Sequence, residues 1–193
     1  MEILLQTFKA EQKIELWAKN KNDSVYKYIK SYPFCSVSGE LGPKRRQGDR
    51  QTPEGFYYID EFNPTSNYYL SLEVSYPNQS DLILGNRANP GGLIYIHGSC
   101  VTIGCIPITD DLIKELYIYA LEAKNNGQEN IPVYMFPEQL TDENFAELKA
   151  EYAGRKELIK FWANLKEGYD KFQKSPKELS FTIDRTGNYL FEQ

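Results

Sequence analysis

Short apolar runs separated by polar turns dominate the start of the chain. Ile3 to Phe8 and Lys13 to Ala18 are strand-like and are separated by the polar segment Lys-Ala-Glu-Gln. Val25 to Tyr32 alternates apolar and polar positions, which is the period of a half-buried strand. The pattern therefore predicts that the first third of the chain is a β-meander.

Strand-like sequence resumes after an irregular basic loop that is rich in glycine and proline and runs to Arg50. Three further runs have the β-branched and aromatic content of strands, namely Gly55 to Ile59, Tyr68 to Ser75 and Ile131 to Phe136. The segment from Leu179 to Phe191 is typical of a hairpin, because Asp-Arg-Thr-Gly divides two short apolar runs.

Two regions have helical periodicity. Thr109 and the two aspartates after it supply an N-cap hydroxyl and an acidic first turn for a helix that Asn126-Gly127 ends. A second helical region begins at Thr141. The apolar stripes of the two regions are Leu112, Leu116, Ala120 and Ala123, and then Leu158, Phe161, Trp162, Leu165, Tyr169 and Phe172. We therefore expect an α+β fold with a mainly antiparallel sheet or sandwich core, and with helices after Cys105 and near the C-terminus.

The composition limits the class of protein. A chain of 193 residues can bury one sizeable core, and we expect a single domain over 1–193. The net charge of -5 and the pI near 5.1 disfavour a nucleic-acid binder, which normally has a strongly basic face. The sequence has no run of about 18 apolar residues that would span a membrane, and it shows no basic-then-apolar leader.

The most informative segment is Tyr95 to Pro107, which contains the one histidine of the chain, His97, and places Cys105 eight positions later. Leu93 to Ile96 is predicted to be a buried strand that ends at His97. A cysteine performs covalent chemistry as the thiolate, and an imidazole that takes its proton supplies this nucleophile near neutral pH. The pairing therefore predicts acyl transfer through a thioester.

The connection between His97 and Cys105 offers supporting roles. Gly98 and Gly104 allow positive φ or close backbone approach, which the return of the cysteine toward the histidine requires. Main-chain amides near the cysteine would stabilise the oxygen of a tetrahedral intermediate, and a polar side chain beside His97 would orient the imidazole. The candidates for oxyanion binding and for orientation are Gly104, Ile103, Ser99 and Thr102.

Two alternatives involve no reactive thiol. A lone histidine at a strand end is often structural, and free cysteines are often buried as small apolar groups. His97, Cys100 and Cys105 are also possible soft ligands for zinc, but a closed zinc site needs four ligands and the chain has no second histidine. We therefore expect neither a metal nor a cofactor.

Beyond this local chemistry, His97-Gly98 followed by Thr102-x-Gly104-Cys105 resembles the His-Gly and Ser/Thr-x-Gly-Cys signature of YkuD-type L,D-transpeptidases, in particular their YafK-like murein branch. Four more segments are similar to that branch, namely Gly42 to Tyr57, Tyr68 to Leu72, Tyr76 to Asn78 and Phe161 to Asp170. The similarity extends over nearly the whole chain. It implies a YkuD-type sheet core, with a helical and hairpin extension over about 138–193.

The resemblance implies a peptidoglycan-modifying cysteine acyltransferase or amidase, with Cys105 as nucleophile and His97 as base. Its implied partners are peptidoglycan stem peptides, with a wall-attached protein as a further substrate, and its implied location is extracytoplasmic, in the periplasm. We expect a monomer. Many YkuD-type enzymes have Arg or Asn soon after the cysteine, whereas Ile106-Pro107-Ile108 follows it here. Hydrolysis of a protein–peptidoglycan amide is therefore the alternative to transpeptidation.

The three cysteines leave at least one thiol unpaired. This suits a site in which Cys105 stays free, while Cys35 and Cys100 either form a disulfide or remain separate.

Basic and aromatic residues supply candidate substrate contacts. Guanidinium groups bind carboxylates in a bidentate geometry, so arginines of the basic loop and beyond could meet stem-peptide carboxylates. The candidates are Arg46, Arg50, Arg87 and, from its Tyr-Pro-Asn setting, Tyr76. Lys44 and Arg45 are predicted to be solvated.

Two rival functions remain from other classes. A non-catalytic peptidoglycan-binding module would hold a peptide in the same cleft with an unreactive Cys105. A cysteine peptidase of ordinary proteins would use the same pair of residues on substrates without D-amino acids.

Overall fold

The computed structural model describes residues 1–192, which form ten strands and four helices. The strands are β1 (Glu2–Phe8), β2 (Lys13–Lys19), β3 (Lys27–Pro33), β4 (Gly55–Asn63), β5 (Ser71–Val74), β6 (Ile94–His97), β7 (Ile106–Pro107), β8 (Pro132–Phe136), β9 (Phe181–Ile183) and β10 (Tyr189–Phe191). The helices are α1 (Gln79–Leu84), α2 (Asp110–Asn125), α3 (Asp142–Glu151) and α4 (Lys156–Lys174).

One eight-stranded sheet has the order β3-β2-β1-β8-β4-β5-β6-β7, and β9 and β10 form a separate hairpin. The pairs β1–β8 and β6–β7 are parallel, and the other neighbours are antiparallel. The main-chain amide of Cys35, just beyond β3, donates to the carbonyl of Pro107 in β7 at 2.9 Å. The two ends of the sheet therefore approach each other, and the sheet is curled.

Each face of the sheet buries a hydrophobic cluster, because side chains alternate between faces along a strand. One cluster packs the sheet against α2 and includes Leu5, Leu72, Ile96, Ile106 and Leu116. The other packs the sheet against α4 and the terminal hairpin and includes Phe8, Phe56, Phe136, Trp162 and Tyr189. The aromatic stripe of the second helical region is thus core, as its spacing predicted.

A buried ion pair fixes the basic loop to the sheet. Lys9 Nζ lies 3.0 Å from Glu54 Oε1 and also donates to the carbonyls of Gly42 and Thr52 at 2.7 and 3.1 Å. Trp162 Nε1 donates to the second carboxylate oxygen of Glu54 at 2.7 Å. A buried pair whose remaining lone pairs are satisfied costs about 3–5 kcal/mol to break from one side. Both ends of the loop that borders the site are therefore held in place.

The predicted meander, the helix after Cys105 and the closing hairpin are confirmed, as is the mainly antiparallel α+β fold. The predicted capping by the Thr109 hydroxyl is wrong, because its side chain makes no capping hydrogen bond. Leu93, predicted to begin a buried strand, is 68% exposed and lies before β6. The strand predicted from Tyr68 begins only at Ser71, because Tyr69 has a φ of 75° and turns the backbone out of extended conformation. The sequence pattern did not predict α1, which begins with a capping box between Asn78 and Asp81. The single-domain prediction with its extension over about 138–193 stays a prediction.

None of the four helices described within residues 1–192 is both long and apolar enough to cross a membrane.

Candidate active site

The register of β6 and β7 brings the segment of Cys105 beside the strand that ends at His97. Ile96 pairs with Ile106 and His97 pairs with Pro107 in this parallel ladder. Ile96 and Ile106 are buried in the core beside α2. Since side chains alternate between faces, His97 points to the opposite face. Cys105 lies directly before β7, outside the ladder, and its sulfur contacts the main chain of Leu93 and Tyr95 in and before β6.

The loop between the two residues is held by its own polar groups. Thr102 Oγ1 donates to the Cys105 carbonyl at 2.8 Å and accepts from the Gly104 amide at 3.0 Å. The Ser99 amide donates to Asp110 Oδ1, at the start of α2, at 2.7 Å. Gly104 has a φ of 142°, which favours glycine. These contacts bend the chain back so that the cysteine returns beside β6.

A disulfide joins Cys35 to Cys100, with 5.4 Å between their Cα atoms, and Cys105 is free. Of the two possibilities left open by the sequence, the structure contains the disulfide. It ties the middle of the loop to the segment after β3. Because Cys100 is bonded to Cys35, it is not available as a thiolate ligand for zinc. Within residues 1–192 no three His, Cys, Asp or Glu side chains are grouped to hold a metal ion.

His97 is 1% exposed and lies under the ring of Tyr68, with 4.8 Å between the ring centroids. Its Nδ1 contacts the carbonyl oxygen of Gly98. A carbonyl can only accept, so Nδ1 carries a proton, and in the neutral ring Nε2 keeps its lone pair. Burial lowers the pKa of His97, against a smaller opposing effect of the Gly98 carbonyl. The imidazole is therefore a neutral base at neutral pH.

Burial raises the pKa of the Cys105 thiol, while a hydrogen bond from the Tyr95 main chain and the charge of Lys44 lower it. The sulfur lies 3.6 Å from the carbonyl oxygen of Leu93 and makes no hydrogen bond to the His97 ring. The resting pair is thus a neutral thiol and a neutral imidazole. This differs from the expected thiolate, because desolvation disfavours the charged forms of both groups.

The main-chain amides around the sulfur differ in their availability. The Gly104 amide, which we expected to bind an oxyanion, already donates to Thr102 Oγ1. Among residues 1–192, the amides of Ile103 and Cys105 donate to no protein acceptor. Ser99 holds the loop through its amide, whereas the ring of His97 is oriented by Gly98. The amides of Ile103 and Cys105 therefore remain available as hydrogen-bond donors, and Thr102 supports the turn that contains them.

A cavity of about 240 Å³ opens beside the sulfur. Its wall is formed by the turn after β1, by the segment after β3 and by Cys105 itself. The lining includes Ala10, Phe34, Val37, Glu40, Leu41 and Thr52. The nucleophile candidate therefore borders a space large enough for part of a substrate.

The basic loop is less solvated than predicted. Lys44 is 5% exposed, donates to Asp49 Oδ1 at 2.7 Å and to the Arg46 carbonyl at 2.9 Å, so its predicted solvation is wrong. Arg45 is half-buried and pairs with the buried Asp81 at 3.0 Å, so the same prediction is wrong for it. Both cations lose contact with water because each pairs with a carboxylate, and burying an unpaired carboxylate would be costly.

The other predicted substrate contacts lie on the surface or in the core. Arg46, Arg50 and Arg87 are exposed and do not line the cavity beside Cys105. Tyr76 is 6% exposed and donates its hydroxyl to the Pro90 carbonyl at 3.0 Å. It supports the segment that leads into β6, so it does not present its ring to a substrate in this structure.

Sequence reasoning missed three residues of the site. The sequence places Tyr68 in a predicted strand and carries no signal of its contact with His97. It indicates Asp110 only as an acidic residue in the first turn of a helix, and Lys44 only as part of a solvated loop. Their roles depend on segments distant in sequence.

Comparison with known proteins identifies the family of this chain. Residues 3–135 match the family described as YkuD, the L,D-transpeptidase catalytic domain. The chain belongs to this family. It is 37% identical over 183 residues to the Escherichia coli K12 protein named "Putative L,D-transpeptidase YafK", covering 94% of this chain and 70% of that protein. The resemblance found in the motifs is thereby confirmed, and membership in this family supports an enzyme that modifies peptidoglycan.

A solved structure shares the YkuD fold. The helical cell shape determining protein Pgp2 of Campylobacter jejuni is similar with a TM-score of 0.56 and 18% identity, covering 94% of this chain and 73% of that one. At this level of identity the likeness concerns the fold, and it agrees with the α+β prediction.

Proposed function

We propose that this protein cleaves an amide bond of peptidoglycan through a thioester on Cys105, with His97 as general base. The observation that supports the proposal is that the free thiol of Cys105 directly precedes β7, the strand that pairs with the end of β6 at His97. The imidazole has its Nδ1 proton engaged by Gly98, which leaves Nε2 to accept a proton. The cavity beside the sulfur supplies room for the acyl group.

The first half of the reaction starts from neutral groups. Sγ of Cys105 attacks a peptide carbonyl next to a D-centre while its proton passes to Nε2 of His97, so a carbon–sulfur bond forms as the thiol is deprotonated. The amides of Ile103 and Cys105 bind the developing oxyanion. When the carbon–nitrogen bond breaks, the imidazolium gives its proton to the leaving amine. The product is a thioester and a free amine.

The second half of the reaction determines whether the protein acts as an amidase or as a transpeptidase. His97 takes a proton from water or from an acceptor amine, which attacks the thioester and restores the thiol. Water gives an amidase that releases a stem peptide or an attached protein, and an amine gives a transpeptidase. Ile106-Pro107-Ile108 places no polar side chain directly after the cysteine to bind an acceptor, and this favours water.

The proposed partners are peptidoglycan stem peptides, with a wall-attached protein as a further substrate. The proposed location is extracytoplasmic, which is supported by the family and by the Cys35–Cys100 disulfide, since such bonds persist in oxidising compartments. Arg46, Arg50 and Arg87 are exposed cations that could meet stem-peptide carboxylates.

The test is to incubate purified sacculi with the wild type, with Cys105→Ala and with His97→Gln, and to profile the released and retained muropeptides. The wild type is expected to trim stem peptides, to release an attached protein or to crosslink stem peptides. Both variants are expected to lose this activity. Identical products from Cys105→Ala would contradict the thioester. The matched control is Gly154→Ala, an alanine substitution at an exposed position with no atom within 4 Å of the added carbon, which leaves the proposed nucleophile and the disulfide in place.

Two further measurements separate the rival functions. A carbapenem that acylates enzymes of this type should add its mass to Cys105, whereas a binding module would retain sacculi and form no adduct. A general cysteine peptidase would cleave casein, whereas the proposed enzyme requires a substrate with a D-centre and leaves casein intact.

A further inference from the structure

Tyr68 separates His97 from solvent. Its ring lies against the imidazole at a tilt of 36°, with 4.8 Å between centroids. Tyr68 is 45% exposed, whereas His97 is 1% exposed. The tyrosine ring therefore contacts the buried imidazole, while nearly half of the Tyr68 surface stays exposed.

The loop between β4 and β5 fixes this tyrosine. The Tyr68 amide donates to Ser66 Oγ at 3.1 Å, and the Leu70 carbonyl accepts from the Gly98 amide at 3.2 Å. A Cβ added at Gly98 would lie 2.8 Å from the Tyr68 carbonyl oxygen. The loop therefore lies directly on the residue after His97, and only glycine permits this approach.

The next residue, Tyr69, directs its ring toward Lys114. Tyr69 has a φ of 75°, and its ring lies 5.7 Å from Nζ of Lys114 in α2. It is 44% exposed, almost the same as Tyr68. The two residues thus form a natural pair for comparison, because only one of them covers the histidine.

The ionisable groups around the imidazole are few. Asp110 of α2 lies against Gly98 and accepts from the Ser99 amide. Cys105 stands before β7, and β5 contributes the uncharged Ser71 opposite His97. The loop contributes the hydroxyls of Tyr68 and Tyr69, the latter beside Lys114. Burial is accordingly the largest cause of the lowered pKa of His97.

We propose that Tyr68 is a positioning residue, whose ring fixes the plane of the His97 imidazole and keeps water from it. The inference rests on the proposed role of His97 as the base. A dry, fixed imidazole stays unprotonated and keeps Nε2 in one orientation, so that no free energy is lost to reorientation when the substrate arrives.

The experiment uses the single histidine of the chain, whose ring resonances can be followed by NMR without interference. His97 is titrated in the wild type, Tyr68→Ala, Tyr68→Phe and the matched control Tyr69→Ala. In Tyr68→Ala we expect the pKa of His97 to rise toward its ordinary value of about 6.5, because water reaches the ring. Tyr68→Phe and Tyr69→Ala are expected to titrate like the wild type.

Activity on sacculi is measured in parallel. Tyr68→Ala should lose up to roughly 100-fold in kcat with KM little changed, because the base is misplaced while the substrate site remains. Tyr68→Phe should retain the wild-type rate. An unchanged His97 titration in Tyr68→Ala, or an equal change in Tyr69→Ala, would overturn the proposal.

The titration requires no substrate, so its result is independent of the proposed function. If the wild type is inactive on sacculi but Tyr68→Ala still shifts the histidine, the proposed function fails and the positioning role stands. Since Tyr68 is exposed on one face, amide spectra of each variant will show whether the fold is kept. If Tyr68→Ala does not fold, Tyr68→Phe against Tyr68→Leu asks the same question, and an equal titration in those two variants overturns the role of the aromatic ring.

Discussion

Pro107 is the register partner of His97 across the parallel pair β6 and β7. This relationship sets the spacing between the histidine and the free thiol, because Cys105 lies two positions before Pro107. A shift of register would change where Cys105 lies along β6 relative to His97. The ladder is short, so the loop contacts of Thr102 and the Cys35–Cys100 bond have to keep the register.

The resting thiol should be protonated at neutral pH. Burial raises the pKa of Cys105 and lowers that of His97, so the neutral pair is favoured until the pH exceeds the thiol pKa. We expect the rate of Cys105 alkylation by iodoacetamide to rise with pH and to reach half its maximum above the ordinary thiol value of about 8.5. A rate that is already maximal below pH 7 would show a preformed ion pair instead. Mass spectrometry of the non-reduced protein, in which Cys105 is the one free cysteine, gives the rate.

Replacing Lys44 should make the thiol less reactive. The charge of Lys44 lowers the pKa of Cys105, so Lys44→Met should move the alkylation midpoint to higher pH. The change also leaves Asp49 without its partner and should reduce the free energy of unfolding by up to about 3–5 kcal/mol. Lys30→Met removes the same charge from the more exposed pair with Glu115, and it should leave the midpoint unchanged. Equal midpoints in the two variants would argue against an electrostatic effect of Lys44.

The Cys35–Cys100 disulfide should stabilise the fold. It closes a sequence separation of 65 residues, for which chain entropy gives roughly 4 kcal/mol. Urea unfolding of the wild type should therefore shift to lower concentration after reduction, while Cys35→Ala/Cys100→Ala should not respond to the reductant. Thiol titration of the denatured protein should find one thiol before reduction and three after it. Three thiols before reduction would exclude the bond.

Gly98 should not tolerate a side chain. An alanine Cβ there would lie 2.6 Å from Asp110 Oδ1 and 2.8 Å from the Tyr68 carbonyl oxygen. We expect Gly98→Ala to cost about 1–3 kcal/mol of stability and to impair activity, because the loop or the helix start must move away from His97. At Gly154 no atom lies within 4 Å of the added carbon, so Gly154→Ala should be neutral or stabilising by up to about 1 kcal/mol. Chemical denaturation of both variants checks the contrast, and equal losses would refute the steric argument.

The sequence by itself determined most of the strands, the main helices and the two candidate reactive residues. Period-2 alternation and 3.6-residue stripes are local properties, so the meander, α2 and α4 could be predicted from neighbouring positions. His97 and Cys105 could be found because their chemistry is rare in this chain and their spacing is short. A helix of six residues such as α1 has too few positions to show a period.

Only the tertiary structure decided the electrostatic state of the site. Tyr68 covers His97 from another loop. Lys44 is buried against Asp49, and the Gly104 amide donates to Thr102 Oγ1. Each of these facts depends on which groups lose contact with water when distant segments pack together. Desolvation changes a pKa according to the whole surroundings of a group. For that reason the sequence identifies the candidate acid and base, Cys105 and His97, while their uncharged resting states follow from the fold.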